Sequence, residues 1–285
     1  MKKQHIASII ILSIGILFTA KNNAQDHKQI VYKTIDTVSL SMDFYYPPDM
    51  DVRKTYPAMI FFFGGGWNGG SIEQFEPHAR YFSDRGLVCI LAEYRVKLRH
   101  NTTPFESLMD AKSAIRFIRK NAPEFHIDTS RIIGSVGSTG GHLAAAAALI
   151  SEFNEPGDDI SVSCIPNALV LFNPVIDISP GSVAYDRIGE HYKDFSPLHN
   201  IKEGAPPTII FLRTQDEFIP VETAKYYQKA MEKVGSRCDL HLYEGQPHAF
   251  FNYQHRKYYN QTVLKADEFL ISLGYLSGIP KIKSD

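Results

Sequence analysis

Three residues of this chain, Ser138, Asp216 and His248, are of the types that together perform nucleophilic acyl transfer. A serine hydroxyl is a weak nucleophile until an imidazole takes its proton, and a carboxylate then holds that imidazole in the useful tautomer. The serine has the most informative surroundings. In Arg131 to Leu149, RIIGSVGSTGGHLAAAAAL, an apolar run passes through Gly134, Gly137, Gly140 and Gly141 into an alanine-rich segment of high helix propensity. A strand that turns at once into a helix, with serine at the turn, describes a nucleophile elbow. The strained turn exposes the hydroxyl, and the N–H of the following residue faces any oxyanion formed there.

The elbow pattern G-x-S-x-G is met in part by Val136-Gly137-Ser138-Thr139-Gly140, with valine at the first glycine. That place is expected to need a small side chain, because strand and helix pass close together there. A second frame centred on Ser135 has the same departure and lies further from the helix, so Ser138 is the stronger candidate. Taken alone, five such residues read most simply as a Gly/Ser turn without chemistry. The partners decide.

A second glycine stretch, Gly64 to Gly70, follows the continuous apolar run Ala58–Phe63. Backbone without Cβ atoms can turn its N–H groups inward and approach a ligand, so such a loop after a buried strand can supply oxyanion donors. A phosphate loop is excluded, since no lysine-serine or lysine-threonine pair follows. Trp67, the single tryptophan, sits in this loop and is expected either to line a pocket or to pack in the core. His142 lies a turn beyond Ser138, where a structural hydrogen bond suits it better than a role as second base.

The elements that must position these residues alternate along the chain. Ile30–Ile35 and Ser39–Tyr46 read as a hairpin of outer strands, and Leu87–Leu91 as a further strand. Glu73–Asp84 and Phe105–Lys120 have helical character, and Asp110 on the latter is expected either to pair with Arg95 or to stand, like it, as a solvated charge. Asn167–Phe172, Pro207–Leu212 and Asp239–Tyr243 are expected strands; Val221–Val234 and Tyr258–Leu273 are expected helices. Val175–Ile201 lacks a clear period and is the expected cap or insertion. This alternation implies an α/β fold with a mostly parallel sheet covered by helices on both faces. Ligands in such sheets bind beyond the carboxyl ends of the strands, where Ser138, Asp216 and His248 all fall, in the chain order this architecture uses.

The 285 residues suit one large α/β domain. Residues 1–24 read as a secretory signal peptide, with a basic start, an apolar run from Ile6 to Ala20 and small residues before Gln25. Residues 25–285 then form the hydrolytic domain, expected to be secreted or periplasmic and not stably inserted in a membrane. A formal charge of −1 without a basic stripe argues against nucleic acid. Cys89, Cys164 and Cys238 make no disulfide framework, though one pair could form in an oxidising compartment. No spacing of cysteine or histidine suggests a metal.

FFFGGGWNGGS from Phe61, EYR from Glu93, GSTGGHLA from Gly137, FNP from Phe172, SPLHNI from Ser196, PPTIIFLRTQDEFIPV from Pro206 and YEGQPHAFFN from Tyr243 occur in order. In these stretches the chain resembles the α/β-hydrolase esterases of the acetyl-esterase and acetylxylan-esterase-like group, which are related to hormone-sensitive-lipase-type carboxylesterases. The resemblance implies Ser138 as nucleophile, His248 as base and acid, and Asp216 as its orienting group. It implies an oxyanion hole from the N–H groups of Gly65, Gly66 and Thr139, no cofactor or metal, and short acyl esters, acetyl groups on carbohydrate among them, as substrate. Two residues depart from the pattern: Phe63 stands where a histidine is usual, and Val136 where a glycine is. Prolyl-oligopeptidase-like peptidase activity and a non-catalytic binding role are the alternatives.

Overall fold

In the computed structural model, which describes residues 27–216 and 219–283, the apolar runs assemble into one eight-stranded sheet. The expected leader, residues 1–24, lies outside the described residues. The strands are β1 (His27–Ile35), β2 (Val38–Tyr45), β3 (Tyr56–Phe62), β4 (Val88–Ala92), β5 (Ile127–Gly137), β6 (Ala168–Phe172), β7 (Thr208–Arg213) and β8 (Cys238–Tyr243). Their order across the sheet is β1-β2-β4-β3-β5-β6-β7-β8. β1 and β2 form an antiparallel hairpin, and β2 meets β4 antiparallel. Every pairing from β4 to β8 is parallel. Strands covered on both faces read as unbroken apolar runs, and β4 and β6 are buried at every position.

The helices are α1 (Glu76–Asp84), α2 (Lys97–His100), α3 (Pro104–Lys120), α4 (Thr139–Leu149), α5 (Tyr185–Ile188), α6 (Tyr192–Phe195), α7 (Val221–Lys233) and α8 (Arg256–Ser272). One apolar cluster joins the sheet to residues of α3, α4 and α7; the other joins it to residues of α1 and α8. Both faces are therefore covered. The expected helix over Glu73–Asp84 begins instead with a 3-10 turn, Ile72–Phe75, and becomes α-helical at Glu76, with Pro77 in the first turn. α3 starts at Pro104 under a capping box formed by Thr103 and Glu106.

α4 is buried along its whole length. Its composition follows from that position. A Cβ at Gly140 would stand 2.3 Å from the carbonyl oxygen of Phe62, and one at Gly141 would stand 2.5 Å from Cα of Pro174. The helix approaches β3 and the chain after β6 closely enough that any side chain at these two positions would push it away. Val136, by contrast, is fully buried in β5 and packs in the same cluster as Leu143 and Ala144. Gly134 and Gly137 are the strand residues that need to be small, since a Cβ at the first would meet Cβ of Ala144 at 3.1 Å and one at the second would meet Cζ of Phe251 at 2.5 Å. The valine at the first place of the elbow is thus accommodated by the glycines on either side of it.

Arg95 and Asp110 do pair. The guanidinium grips the carboxylate through two bonds of 2.8 Å, and the Arg95 N–H adds a third at 2.9 Å. Lys33 and Glu155 complete a largely buried four-charge group that ties β1 and α3 to the end of β4. The three cysteines are free and buried.

Candidate active site

Five neighbouring strands deliver the site at their carboxyl ends. β5 occupies the middle of the sheet and ends at Gly137; Ser138 follows with φ 57° and ψ −120°. That is a sparsely populated conformation for a residue with a side chain, and it is held from both directions. The Ser138 N–H donates to Phe172 O at 2.8 Å, and its carbonyl accepts from the Val175 N–H at 3.1 Å. The sharp turn leaves the hydroxyl half-buried at the head of α4.

His248 comes from beyond β8, three strands from β5, a lateral distance of roughly 14 Å at the usual strand spacing. The segment after Tyr243 turns back through Gly245 (φ 65°) and Ala249 (φ 64°) to cross that distance. His248 Nε2 then lies 3.1 Å from Ser138 Oγ, and Nδ1 lies 3.3 Å from Asp216 Oδ2. The Asp216 side chain is fully buried, whereas 27% of the His248 side chain is exposed. Three further groups hold the carboxylate. Arg213 Nε donates to Oδ2 at 2.8 Å, Asn173 Nδ2 donates to the same oxygen at 3.0 Å, and the Ile219 N–H donates to Oδ1 at 3.1 Å. Asn173, buried just after β6 with φ 44°, also accepts from the Arg213 N–H at 3.3 Å. Asp216 is thereby aimed at the imidazole and restrained from turning away.

The glycine loop after β3 forms the opposite wall. Gly64 N–H donates to Gln74 Oε1 at 2.7 Å, and Gly66 N–H donates to Thr139 Oγ1 at 2.9 Å. Among the described residues the N–H groups of Gly65 and Thr139 have no protein acceptor, as expected for the first residue of a helix in the case of Thr139. Phe63 replaces the usual histidine by a different means of fixing the loop. Its ring stacks on Tyr94 with centroids 4.1 Å apart, and the Tyr94 hydroxyl donates to Phe63 O at 2.6 Å.

Ser135 is not available for chemistry. It is fully buried inside β5, and its hydroxyl has no partner among the described residues. His142 is buried, donates from Nε2 to Phe195 O (2.7 Å), and its imidazole is pushed down to about 4 by burial, so it is a neutral structural ring. Trp67 does both things expected of it, since it is buried and its edge meets His142 at 5.3 Å while it also lines the cavity. Gln74, Asn173 and Arg213 were not singled out for the site from sequence. Only Asn173 carried a signal, its place directly after a buried strand; a glutamine on a helix carries none.

A cavity of about 480 Å³ opens over Ser138 and His248. Gly64–Gly66, Trp67, Val175, Val183, Ala184, Arg187 and Phe251 are among its walls. Val183, Ala184 and Arg187 belong to the 175–201 segment, which folds as short helical pieces with α5 and α6 and covers one flank of the site. A hydroxyl, an imidazole and a carboxylate in one hydrogen-bonded line, beside open backbone donors, can add an oxygen nucleophile to a carbonyl and hold the resulting charge.

Known proteins are similar along the same lines. Residues 42–180 match the BD-FAE family and residues 184–272 the dienelactone hydrolase family. The apo form of Thermogutta terrifontis esterase 2 superposes with a TM-score of 0.85 at 41% identity, over 88% of this chain and 96% of that one. That esterase has also been solved with propionate and with butyrate bound. Esterase LipC of Mycobacterium tuberculosis is 28% identical over 249 residues, 79% of this chain and 60% of that protein. The isoprenylcysteine alpha-carbonyl methylesterase ICME of Arabidopsis thaliana is 28% identical over 247 residues, 79% of this chain and 56% of that protein. The chain thus spans little more than half the length of these two curated relatives. With 41% identity to a solved esterase along nearly that esterase's whole length, the chain belongs to the α/β-hydrolase esterases.

Proposed function

We propose that this protein is a serine carboxylesterase that removes short acyl groups, acetyl above all, from carbohydrate hydroxyls. The observation that carries the reading is the line Asp216–His248–Ser138, with bonds of 3.3 and 3.1 Å, ending beside the unpaired N–H groups of Gly65 and Thr139. Ser138 Oγ attacks the ester carbonyl while His248 Nε2 takes its proton. The oxyanion lies against the N–H groups of Gly65 and Thr139, and the Gly66 N–H joins them when the substrate oxygen displaces Thr139 Oγ1. His248 returns the proton to the departing alcohol oxygen. Water, deprotonated by the same imidazole, then releases the acid. Asp216 stabilises the imidazolium in both halves.

Buried Trp67, Val175 and Ala184 bound the depth of the cavity, which favours a short acyl group. The propionate and butyrate held by the Thermogutta esterase support the same acyl range. The carbohydrate alcohol rests on the resemblance to acetylxylan-type esterases, and export to the periplasm or medium on the leader read from residues 1–24.

Hydrolysis of p-nitrophenyl acetate, butyrate and octanoate by the wild type and by Ser138→Ala tests the assignment. Acetate and butyrate are expected to be preferred over octanoate. The variant is expected to lose roughly 10⁶-fold in kcat, the order seen when a triad nucleophile is removed. Undiminished turnover by Ser138→Ala, or fluorophosphonate labelling at Ser135 in place of Ser138, would remove the basis of the reading.

A further inference from the structure

The cavity wall contains a cation that acyl transfer does not use. Arg187, exposed on α5, lines the pocket next to Val183 and Ala184. Its Nη1 donates to Gly66 O. A Cβ at Gly66 would stand 3.4 Å from Nη1 and 3.8 Å from Nη2, so the guanidinium lies against the glycine loop. No carboxylate among the described residues pairs with it, and one carbonyl engages one of its five N–H groups. At the other end of the same loop Arg99 Nη1 donates to Gly70 O at 2.6 Å, with its guanidinium over the Phe63 ring and likewise no carboxylate partner among the described residues. Two guanidinium groups without a carboxylate partner among the described residues therefore flank the loop, and Arg187 faces the cavity.

The reaction geometry says which part of a substrate reaches Arg187. The carbonyl oxygen must face Gly65 and Thr139, and the departing oxygen must face His248 Nε2. The acyl group takes the buried wall of Trp67, Val175 and Ala184, which leaves the alcohol directed to the mouth, where exposed Val183 and Arg187 stand. A guanidinium presents parallel N–H groups that match the two oxygens of a carboxylate, and Val183 offers an apolar surface beside it.

We propose that Arg187 selects esters whose alcohol part carries a carboxylate, the chemistry of an O-acetylated uronic acid. This deepens the esterase reading and rests on it.

The acetates of 4-hydroxybenzoate and 4-hydroxybenzamide form a matched pair, with one acyl group, one ring, and a charge in only the first. For each, kcat/KM is divided by its rate of hydroxide-catalysed hydrolysis, which cancels leaving-group reactivity. The wild type is expected to favour the carboxylate by about tenfold, a modest value for a charge-assisted bond in an exposed site. The preference is expected in KM more than in kcat, and to shrink as ionic strength rises. Arg187→Met is expected to lower it to about one, while Arg187→Lys retains part of it. If the methionine merely loosens the glycine loop, both substrates slow together and the ratio stays, which counts against recognition by Arg187. A wild type that treats the two alike overturns the inference and leaves the esterase standing; one that hydrolyses neither overturns both.

Discussion

Gly137→Ala adds a single methyl group one residue before Ser138, and the structure says where it goes. The new Cβ would lie 2.5 Å from Cζ and 2.9 Å from Cε2 of Phe251, and 3.0 Å from Cζ of Phe75. Carbon atoms settle at about 3.5–4 Å, so the Phe251 ring must retreat by about 1 Å. It has nowhere to go. The ring is fully buried, with Phe172 5.0 Å and Phe75 6.0 Å away between centroids. Phe251 is three residues beyond His248, so its displacement moves the imidazole, and the 3.1 Å contact with Ser138 opens. Overpacking of this kind costs about 1–3 kcal/mol of stability. A misplacement of about 1 Å in a catalytic group costs about 10²-fold in rate. The expected result is thus a folded variant with a lowered melting temperature, a kcat on p-nitrophenyl acetate down by about 10²-fold, and slowed fluorophosphonate labelling. Phe251→Leu, which withdraws the clashing ring edge, is expected to recover much of that rate in the double variant, giving a coupling energy of about 1 kcal/mol or more in the cycle. A Gly137→Ala enzyme with wild-type kcat, or a folded double variant no faster than the single one, refutes the steric argument.

Tyr94→Phe removes the hydroxyl that donates to Phe63 O but keeps the ring stack. It strands a buried carbonyl at a cost of about 1–3 kcal/mol, read by urea denaturation, and is expected to lower kcat more than it alters KM because the glycine loop begins at the next residue. An unaltered urea midpoint would show that the loop does not depend on this bond. His78 bears on pH. Neither of its ring nitrogens has a partner among the described residues, aromatic rings surround it, and burial pushes its imidazole down to about 3. The folded chain therefore refuses a proton that the unfolded chain accepts below the ordinary histidine value of 6.5. Its contribution is intact above 6.5 and is lost as pH falls toward 3. His78→Phe is expected to stabilise the protein by about 1–2 kcal/mol at pH 7 and to flatten the fall in urea midpoint between pH 7 and pH 5. An equally steep fall in the variant would assign that slope to other groups.

The parts of the fold that sequence exposes are those governed by local rules. β3 runs from Tyr56 to Phe62 where the apolar run Ala58–Phe63 places it, and α3 starts within a residue of the expected Phe105. Each of Ser138, Asp216 and His248 could be picked out because a reactive residue type followed a strand, and parallel strands bring their carboxyl ends to one edge. What stayed hidden depends on approach between distant segments. The need for glycine at 137 comes from a phenylalanine more than a hundred residues later, so the elbow pattern pointed to Val136 as the tight spot when the contacts fall at 134, 137, 140 and 141. The Glu73–Asp84 helix was legible but its first turn was not, since its polar and apolar spacing does not separate a 3-10 turn from an α-turn ahead of Pro77. Arg187 carried no signal, because an arginine in an aperiodic segment reads as a solvated charge until the cavity beneath it is seen.

Gln74 joins parts of the site that the sheet keeps apart. Its Oε1 receives the Gly64 N–H, and its Nε2 donates to Asn252 Oδ1 at 3.2 Å. Gly64 follows β3 and Asn252 follows β8, four strands away. One amide thus serves as a strut between the glycine loop after β3 and the loop that carries His248. Substitutions in the two loops should not combine as independent multipliers of rate. A screen that improves each loop separately and then merges the winners would meet epistasis centred on residue 74, and adaptation of this site to a new ester would have to move both loops in step.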